Sequence, residues 1–299
     1  MALDLGTLRI GFIGAGRLGT ALAWSIAQRQ LRVVAVADAV AQNAQRLAAQ
    51  IPGCRVAQMQ DVIDGCDLVF VTTPDELIEG TAAQGRWRAG MYAVHCSGVT
   101  DVSALDSAEA AGAVVGGFHP MQTFGDPAAA ARSLPGCTIT VEAEEPLNAI
   151  LVGIAQRLEC RVNRLPPGMR GRYHAAAGYT SQFINALFRE ASQIWQSWGA
   201  TEEDAVRALL PLARGTLESI DAAGICKGMP GPVSRGDVAS IEKHVAALEP
   251  LGPQTMEFYR LLAGRTIPLA LECGAIDPAT AERFRDVLLE DAKERKVVT

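Results

Sequence analysis

The side chains able to carry a proton near neutral pH are few. The four histidines are His95, His119, His174 and His244. His174 heads a run of small and polar residues, Gly178, Ser181, Gln182 and Asn185, whose spacing falls along one face of a helix. A histidine there can donate a proton to a substrate oxygen or accept one from it. The alternative is a solvent-facing structural histidine. His119 follows an apolar run, has Gly116 and Gly117 just before it and Pro120 just after it. That backbone suits a binding or positioning group as well as it suits a structural loop histidine. Ser97 and Gly98 offer a hydroxyl and bare amides at another strand end, a place to hold a carboxylate or an oxyanion. His95 lies in an apolar run and reads as a satisfied core residue; His244, among charged neighbours, reads as a surface one. In the proline- and glycine-rich loop 230–237, Arg235 can fork onto a carboxylate, and Asp237 reads as the cap of the next helix. No His, Cys, Asp and Glu set has metal-ligand spacing, and neither a G-x-S-x-G elbow nor a G-K-[ST] phosphate loop occurs.

These residues need elements to bring them together, and one stretch organises those elements. Residues 8–13 form a short apolar strand pattern, Gly14-Ala15-Gly16-Arg17-Leu18-Gly19 makes a G-x-G-x-x-G turn, and a helical pattern follows to Gln28. Gly14 permits the tight turn, Gly16 permits close approach of a pyrophosphate, and Gly19 permits close packing of helix on strand. The amides of the first helical turn then face an anion. The pattern predicts a dinucleotide site. Residues 31–37 form a second strand ending at Asp38, close to the roughly 20-residue spacing at which an acid meets the ribose hydroxyls. A carboxylate there repels a 2′-phosphate and favours NAD over NADP. Capping of the next helix by Asp38, and help to a phosphate from Arg46, are the open alternatives. Residues 67–72 form a buried strand, so Thr72, Thr73 and Pro74 border the dinucleotide at its end.

Further strands are read at 91–96, 113–118, 137–141 and 160–165, with a helix at 146–158. Alternating strands and helices predict an α/β fold with a mostly parallel, doubly wound sheet, whose ligands bind beyond the carboxyl ends of the strands. Pro166-Pro167-Gly168 marks the boundary between a dinucleotide domain, 1–165, and an all-helical domain, 166–299, that opens with one long helix, 170–198. Another helix, 254–273, is expected to break near Pro268. The chain has 299 residues, is 49% hydrophobic and carries a formal charge of -6, which argues against nucleic acid as a partner. No apolar run reaches membrane-spanning length, and the first residues lack a basic leader. The seven scattered cysteines, with no C-x-x-C, read as reduced thiols of a cytoplasmic protein, with Cys96 in the core.

Taken together, Gly14 to Gly19, Thr73-Pro74-Asp75, His95-Cys96-Ser97-Gly98, His119 to Phe124, Tyr173 to Ala177 and Gly231 to Asp237 resemble the β-hydroxyacid dehydrogenase-type superfamily. The narrower resemblance is to its branch of Rossmann-like oxidoreductases with a C-terminal helical domain of unknown function. Ketopantoate reductase, pyrroline-5-carboxylate reductase and prephenate dehydrogenase are relatives. The resemblance implies a homodimeric NAD(P)-dependent oxidoreductase whose helical domain closes the substrate cleft. Its substrate would be a small carboxylate with a carbonyl or hydroxyl group. Imine or pyrroline reduction, and a dinucleotide sensor without turnover, are the alternatives. Hydroxyacid dehydrogenases carry a lysine on the first long helix with an amide residue one turn later. This helix has no lysine; His174 takes roughly that place, and Gln182 stands where the branch tends to have asparagine. On this reading His174 exchanges the proton, His119 and Ser97 assist it, and Gly98, Ser181, Gln182 and Arg235 hold the substrate.

Overall fold

The computed structural model describes residues 5–294, with side chains to 289; Met1 to Asp4 and the basic end from Lys293 lie outside the described side chains. Contacts divide the chain into two compact units, Met1–Ser181 and Gln182–Thr299.

The first unit alternates strands and helices in the order β1 (Arg9–Ile13), α1 (Arg17–Gln28), β2 (Arg32–Ala37), α2 (Ala41–Gln50), β3 (Arg55–Val56), α3 (Met59–Gly65), β4 (Leu68–Val71), α4 (Ile78–Gln84), β5 (Tyr92–His95), α5 (Asp106–Ala110), β6 (Val114–Pro120), α6 (Pro127–Ser133), β7 (Thr138–Ala143), α7 (Leu147–Arg157), β8 (Arg161–Arg164) and α8 (Arg170–Tyr179). The strands form one sheet in the order β3-β2-β1-β4-β5-β6-β7-β8. All neighbours are parallel except β6 and β7, which pair antiparallel with His119 opposite Thr140 and Gly117 opposite Glu142.

The central strands are apolar on both sides, as a sheet covered on both faces requires. On one face Phe12, Phe70 and Phe118 form a row, the first two stacked at 5.1 Å and the next pair edge-on at 5.6 Å. Leu22 and Ile26 of α1 and Ile150 and Leu151 of α7 close over that row. Each such buried side chain contributes roughly 1.5–3 kcal/mol. The other face buries Val69, Val71 and Ala93 beneath Val62, Ile78 and Ala108.

The second unit holds α9 (Gln182–Gln196), α10 (Glu202–Lys227), α11 (Val238–Leu248), α12 (Pro253–Glu272) and α13 (Pro278–Glu294). Asp237 caps α11 through the amide of Ser240. Ile241, Ile267 and Phe284 centre its core.

The first compact unit includes α8 and runs to Ser181, with Arg170, 1% exposed, tying that helix to the sheet. Three expectations are corrected. The single helix 170–198 is two, because Thr180 and Ser181 turn their hydroxyls back onto the carbonyl of Ala177 and their amides make three-residue bonds. The stripe from His174 to Asn185 is therefore broken. Helix α12 runs through Pro268 without a break. Cys226 and Cys273 form a disulfide between the end of α10 and the residue after α12, so the thiols are not all reduced. Their spacing in sequence gave no sign of this pairing, since helix packing alone brings them together.

The glycine turn follows the expected design. Gly14 has φ of +107°, and a Cβ there would lie 2.6 Å from the Thr72 carbonyl. A Cβ on Gly19 would lie 2.4 Å from the Gly14 oxygen and 2.7 Å from Thr72 Oγ1. Around Gly16 nothing lies within 4 Å. Gly19→Ala is therefore expected to destabilise the unit by roughly 1–3 kcal/mol, read as a lowered Tm, whereas Gly16→Ala is expected to leave the Tm in place.

Candidate functional site

The glycine turn is braced from two sides. Asp38 accepts hydrogen bonds from the Ala15 amide (2.6 Å), the Val40 amide (2.7 Å) and Asn43 Nδ2 (3.3 Å). Its carboxylate thus holds the turn and opens α2 together. Thr72 Oγ1 donates to the Gly14 carbonyl at 2.6 Å. Gly16 stands as the N-cap of α1 with no side chain on the first-turn amides. The next residue in the strand-end loop, Thr73, has a buried hydroxyl with no protein partner. A groove of about 650 Å³ runs beside the turn, with Arg17, Thr20, Asn43 and Arg46 on its walls. Open amides, room at Gly16 and two guanidinium groups fit an anionic dinucleotide. Pro74 is exposed at the rim, and Leu18 is half-buried on α1.

A second constellation gathers at the ends of β5 and β6. His119 Nδ1 and the Tyr173 hydroxyl lie 2.7 Å apart, and the rings of His119 and His174 are 6.3 Å apart. Gly98 sits against both: a Cβ there would be 2.7 Å from His174 Cδ2 and 2.8 Å from His119 Nε2. His119 is half-buried and His174 exposed.

Asn163 Nδ2 donates to Thr140 Oγ1 at 3.1 Å. Thr140 also acts on Tyr173, whose pKa is raised chiefly by burial, so the phenol stays protonated near neutral pH. In the tautomer in which Tyr173 donates to His119 Nδ1, the second nitrogen of neutral His119, beside Gly98, carries the N–H. Burial first, then His174 and Arg170, push His119 down to about 4.

Beneath lies a group that sequence reasoning missed. Arg170 donates through Nε to Glu142 (2.6 Å) and through Nη1 to the Ser97 carbonyl (2.7 Å). Its Nη2 has no partner. A Cβ on Gly117 would lie 1.9 Å from that atom, so the second glycine before His119 exists to seat a guanidinium. The twin glycines were the available signal; the arginine they serve lies more than fifty residues on and could not be matched to them by spacing.

Other expected residues are placed as follows. The Ser97 hydroxyl accepts from the Val99 and Thr100 amides and bonds Thr100 Oγ1, so it builds the turn and has little capacity left for a ligand. His95 is fully buried but only half satisfied: Nδ1 accepts from the Ser97 amide, and Nε2 has no partner. Cys96 is buried, and burial pushes its thiol up. Ser181 uses its hydroxyl on Ala177. Gln182 and Arg235 are exposed on the second unit. His244, exposed there, pairs with the Tyr259 hydroxyl at 2.9 Å. Among the described residues no group of three His, Cys, Asp or Glu could hold a metal ion, and no helix is long and apolar enough to cross a membrane.

Comparison with known proteins agrees with this architecture. Residues 2–120 match the model of a Rossmann-like domain, and residues 137–266 match that of a domain of unknown function, DUF2520. The two matches bear out the resemblance to Rossmann-like oxidoreductases with a helical domain of unknown function. A crystal structure from Bacteroides fragilis, described as that of a candidate NADP oxidoreductase, is 25% identical with a TM-score of 0.66, covering 87% of this chain and 97% of that one. A reductive aminase from Aspergillus terreus, in complex with NADPH and ethyl-5-oxohexanoate, shares the fold at 17% identity and a TM-score of 0.61, covering 96% and 94%. Pyrroline carboxylate reductase from Plasmodium falciparum, with NADP bound, does so at 12% and 0.55, covering 95% and 99%. No curated protein matches the chain.

The buried histidines set an acid limit on stability. Burial first, then Arg170, push His95 down to about 3. An unfolded His95 takes up its proton near the ordinary value of about 6.5, while the folded one refuses it until about 3. Stability therefore falls as pH is lowered through this window and levels off below it. His95→Asn, which keeps an acceptor for the Ser97 amide and does not titrate, is expected to flatten the fall in Tm between pH 6.5 and 4.

Proposed function

We propose that the protein is an NAD(P)-dependent oxidoreductase acting on a C=O or C=N carbon of a small carboxylate-bearing substrate. The observation that carries this reading is the His119–Tyr173 pair beside Gly98 and His174, on the same strand-end edge of the sheet as the open glycine turn. Gly14, Gly16 and the first-turn amides of α1 would hold the pyrophosphate, with Thr73 and Pro74 bordering it. The bound nicotinamide would supply or accept the hydride. The chain's own residues then handle the substrate. His119 offers the N–H beside Gly98 to a substrate oxygen or nitrogen, and Tyr173 and Thr140 stand behind it as a route for the proton. His174, exposed at the rim, exchanges that proton with solvent. The Ser97–Gly98 turn receives the acidic group.

Asp38 favours NAD, because its carboxylate stands at the end of β2 and repels a 2′-phosphate. Arg46 supports NADP as the alternative: its guanidinium lies in the groove, bonded to Asn43 Oδ1 at 2.6 Å, and can be redirected to a phosphate. Imine reduction is the second reading of the chemistry. A histidine held neutral down to about pH 4 is a weak acid for an alkoxide, whereas an iminium arrives already protonated. We also propose a homodimer through the helical unit, whose Leu212, Leu217 and Ile225 leave apolar surface exposed.

The test is a titration with NADH and NADPH followed by 2-oxo acids and cyclic imines. NADH is expected to bind more tightly, and Asp38→Ser to shift preference toward NADPH by tenfold or more. Tyr173→Phe and His174→Ala are expected to lower kcat about 10²-fold on carbonyl substrates. Retention of imine turnover by both variants selects the imine reading. Binding of dinucleotide with no hydride transfer on any substrate rejects the enzyme in favour of a sensor.

A further inference from the structure

We propose that Arg170 is a positioning residue that polarises the Ser97–Gly98 peptide, making the Gly98 amide the donor that holds the substrate's carboxylate or a developing oxyanion. The carbonyl of Ser97 and the N–H of Gly98 belong to one peptide group. Arg170 Nη1 donates to that carbonyl at 2.7 Å from a position 1% exposed to solvent. Drawing electron density toward the oxygen makes the N–H at the other end more acidic and a stronger donor, and low local dielectric enlarges the effect. The Gly98 amide has no acceptor among the described residues, while the neighbouring amides of Ser97, Val99 and Thr100 are all taken.

Three further observations fit a device built for this peptide. Glu142, bound to Nε, fixes the guanidinium in plane and leaves its positive end against Ser97. Nη2 has no acceptor, so on that side the charge is not quenched. Gly117 has no side chain, and any Cβ there would push the guanidinium off the strand. A buried ion pair serving only stability is replaceable by apolar side chains. One seated against the single peptide that leads into Gly98, a buried glycine packed against two imidazoles, has a directional role. Ser97 thereby acts through its carbonyl, while its hydroxyl shapes the turn.

The inference rests on the oxidoreductase reading only for the nature of the guest, so its test uses a simple carboxylate and no turnover. Acetate is titrated into the ¹⁵N-labelled full-length protein while the Gly98 amide resonance is followed. In the wild type that resonance is expected to move to saturation. In Arg170→Gln combined with Glu142→Gln, which removes both charges together, acetate is expected to bind about tenfold more weakly with a smaller Gly98 shift. Should the double variant not fold, Arg170→Lys replaces it: an ammonium cannot span Glu142 and Ser97 in one plane, and a loss of about threefold or more is expected. A Gly98 resonance unmoved by acetate in the wild type overturns the proposal, as does wild-type affinity in the folded double variant or in Arg170→Lys. Acetate binding at Gly98 without hydride transfer on any substrate keeps this inference and removes the oxidoreductase reading; turnover with a silent Gly98 does the reverse.

Discussion

The arrangement of the strand-end cluster depends on one buried cation. Arg170 joins β7 through Glu142, the end of β5 through Ser97, and β6 through the bare backbone of Gly117. Burying a guanidinium is costly unless its charge is met, and here one carboxylate and one carbonyl meet two of its three nitrogens. The same charge lies close enough to His95 and His119 to oppose their protonation. A single side chain therefore ties α8 to its sheet and adds to the burial that keeps the neighbouring imidazoles neutral.

That role explains a division of labour among the glycines of the first unit. Gly14 and Gly19 are demanded by backbone oxygens and by Thr72, so they serve the fold of the turn. Gly16 is demanded by nothing in the protein, which leaves space for a guest. Gly98 and Gly117 are demanded by side chains, two imidazoles in one case and a guanidinium in the other. Gly14, Gly16 and Gly19 follow from a local motif; Gly98 and Gly117 do not.

The same distinction governs how much was legible in the sequence. Hydrophobic runs between turn residues gave seven of the eight strands, since local pattern decides a buried strand; β3 is two exposed residues. The glycine turn and Asp38 were legible because their spacing is set by one strand, turn and helix. His119, Gly98 and His174 could be named as polar residues at element ends, but their meeting could not, because it depends on where α8 crosses the sheet. Arg170 and Glu142 belong to no local motif that would single them out. Their burial follows from a packing decision that no window of sequence contains. The break at Thr180 and Ser181 was missed for a related reason: helical periodicity continues across it, and only the return of two hydroxyls to Ala177 interrupts the ladder.

The reversal at β7 has a geometric consequence for the cluster. Because β7 and β8 run against β6, the chain leaves β8 at the edge where the parallel strands begin, opposite to the edge that carries Gly98 and His119. Helix α8 therefore starts away from the edge it serves, and its side chains make the connection. Four residues of helix span about 6 Å, and two residues of strand roughly 6.6 Å, so Arg170 and His174 are spaced much as Gly117 and His119 are. The guanidinium reaches Gly117, and one helical turn later His174 meets Gly98 and the His119 ring. The strand reversal thus decides that a long side chain, and not the chain itself, closes the distance back to β6.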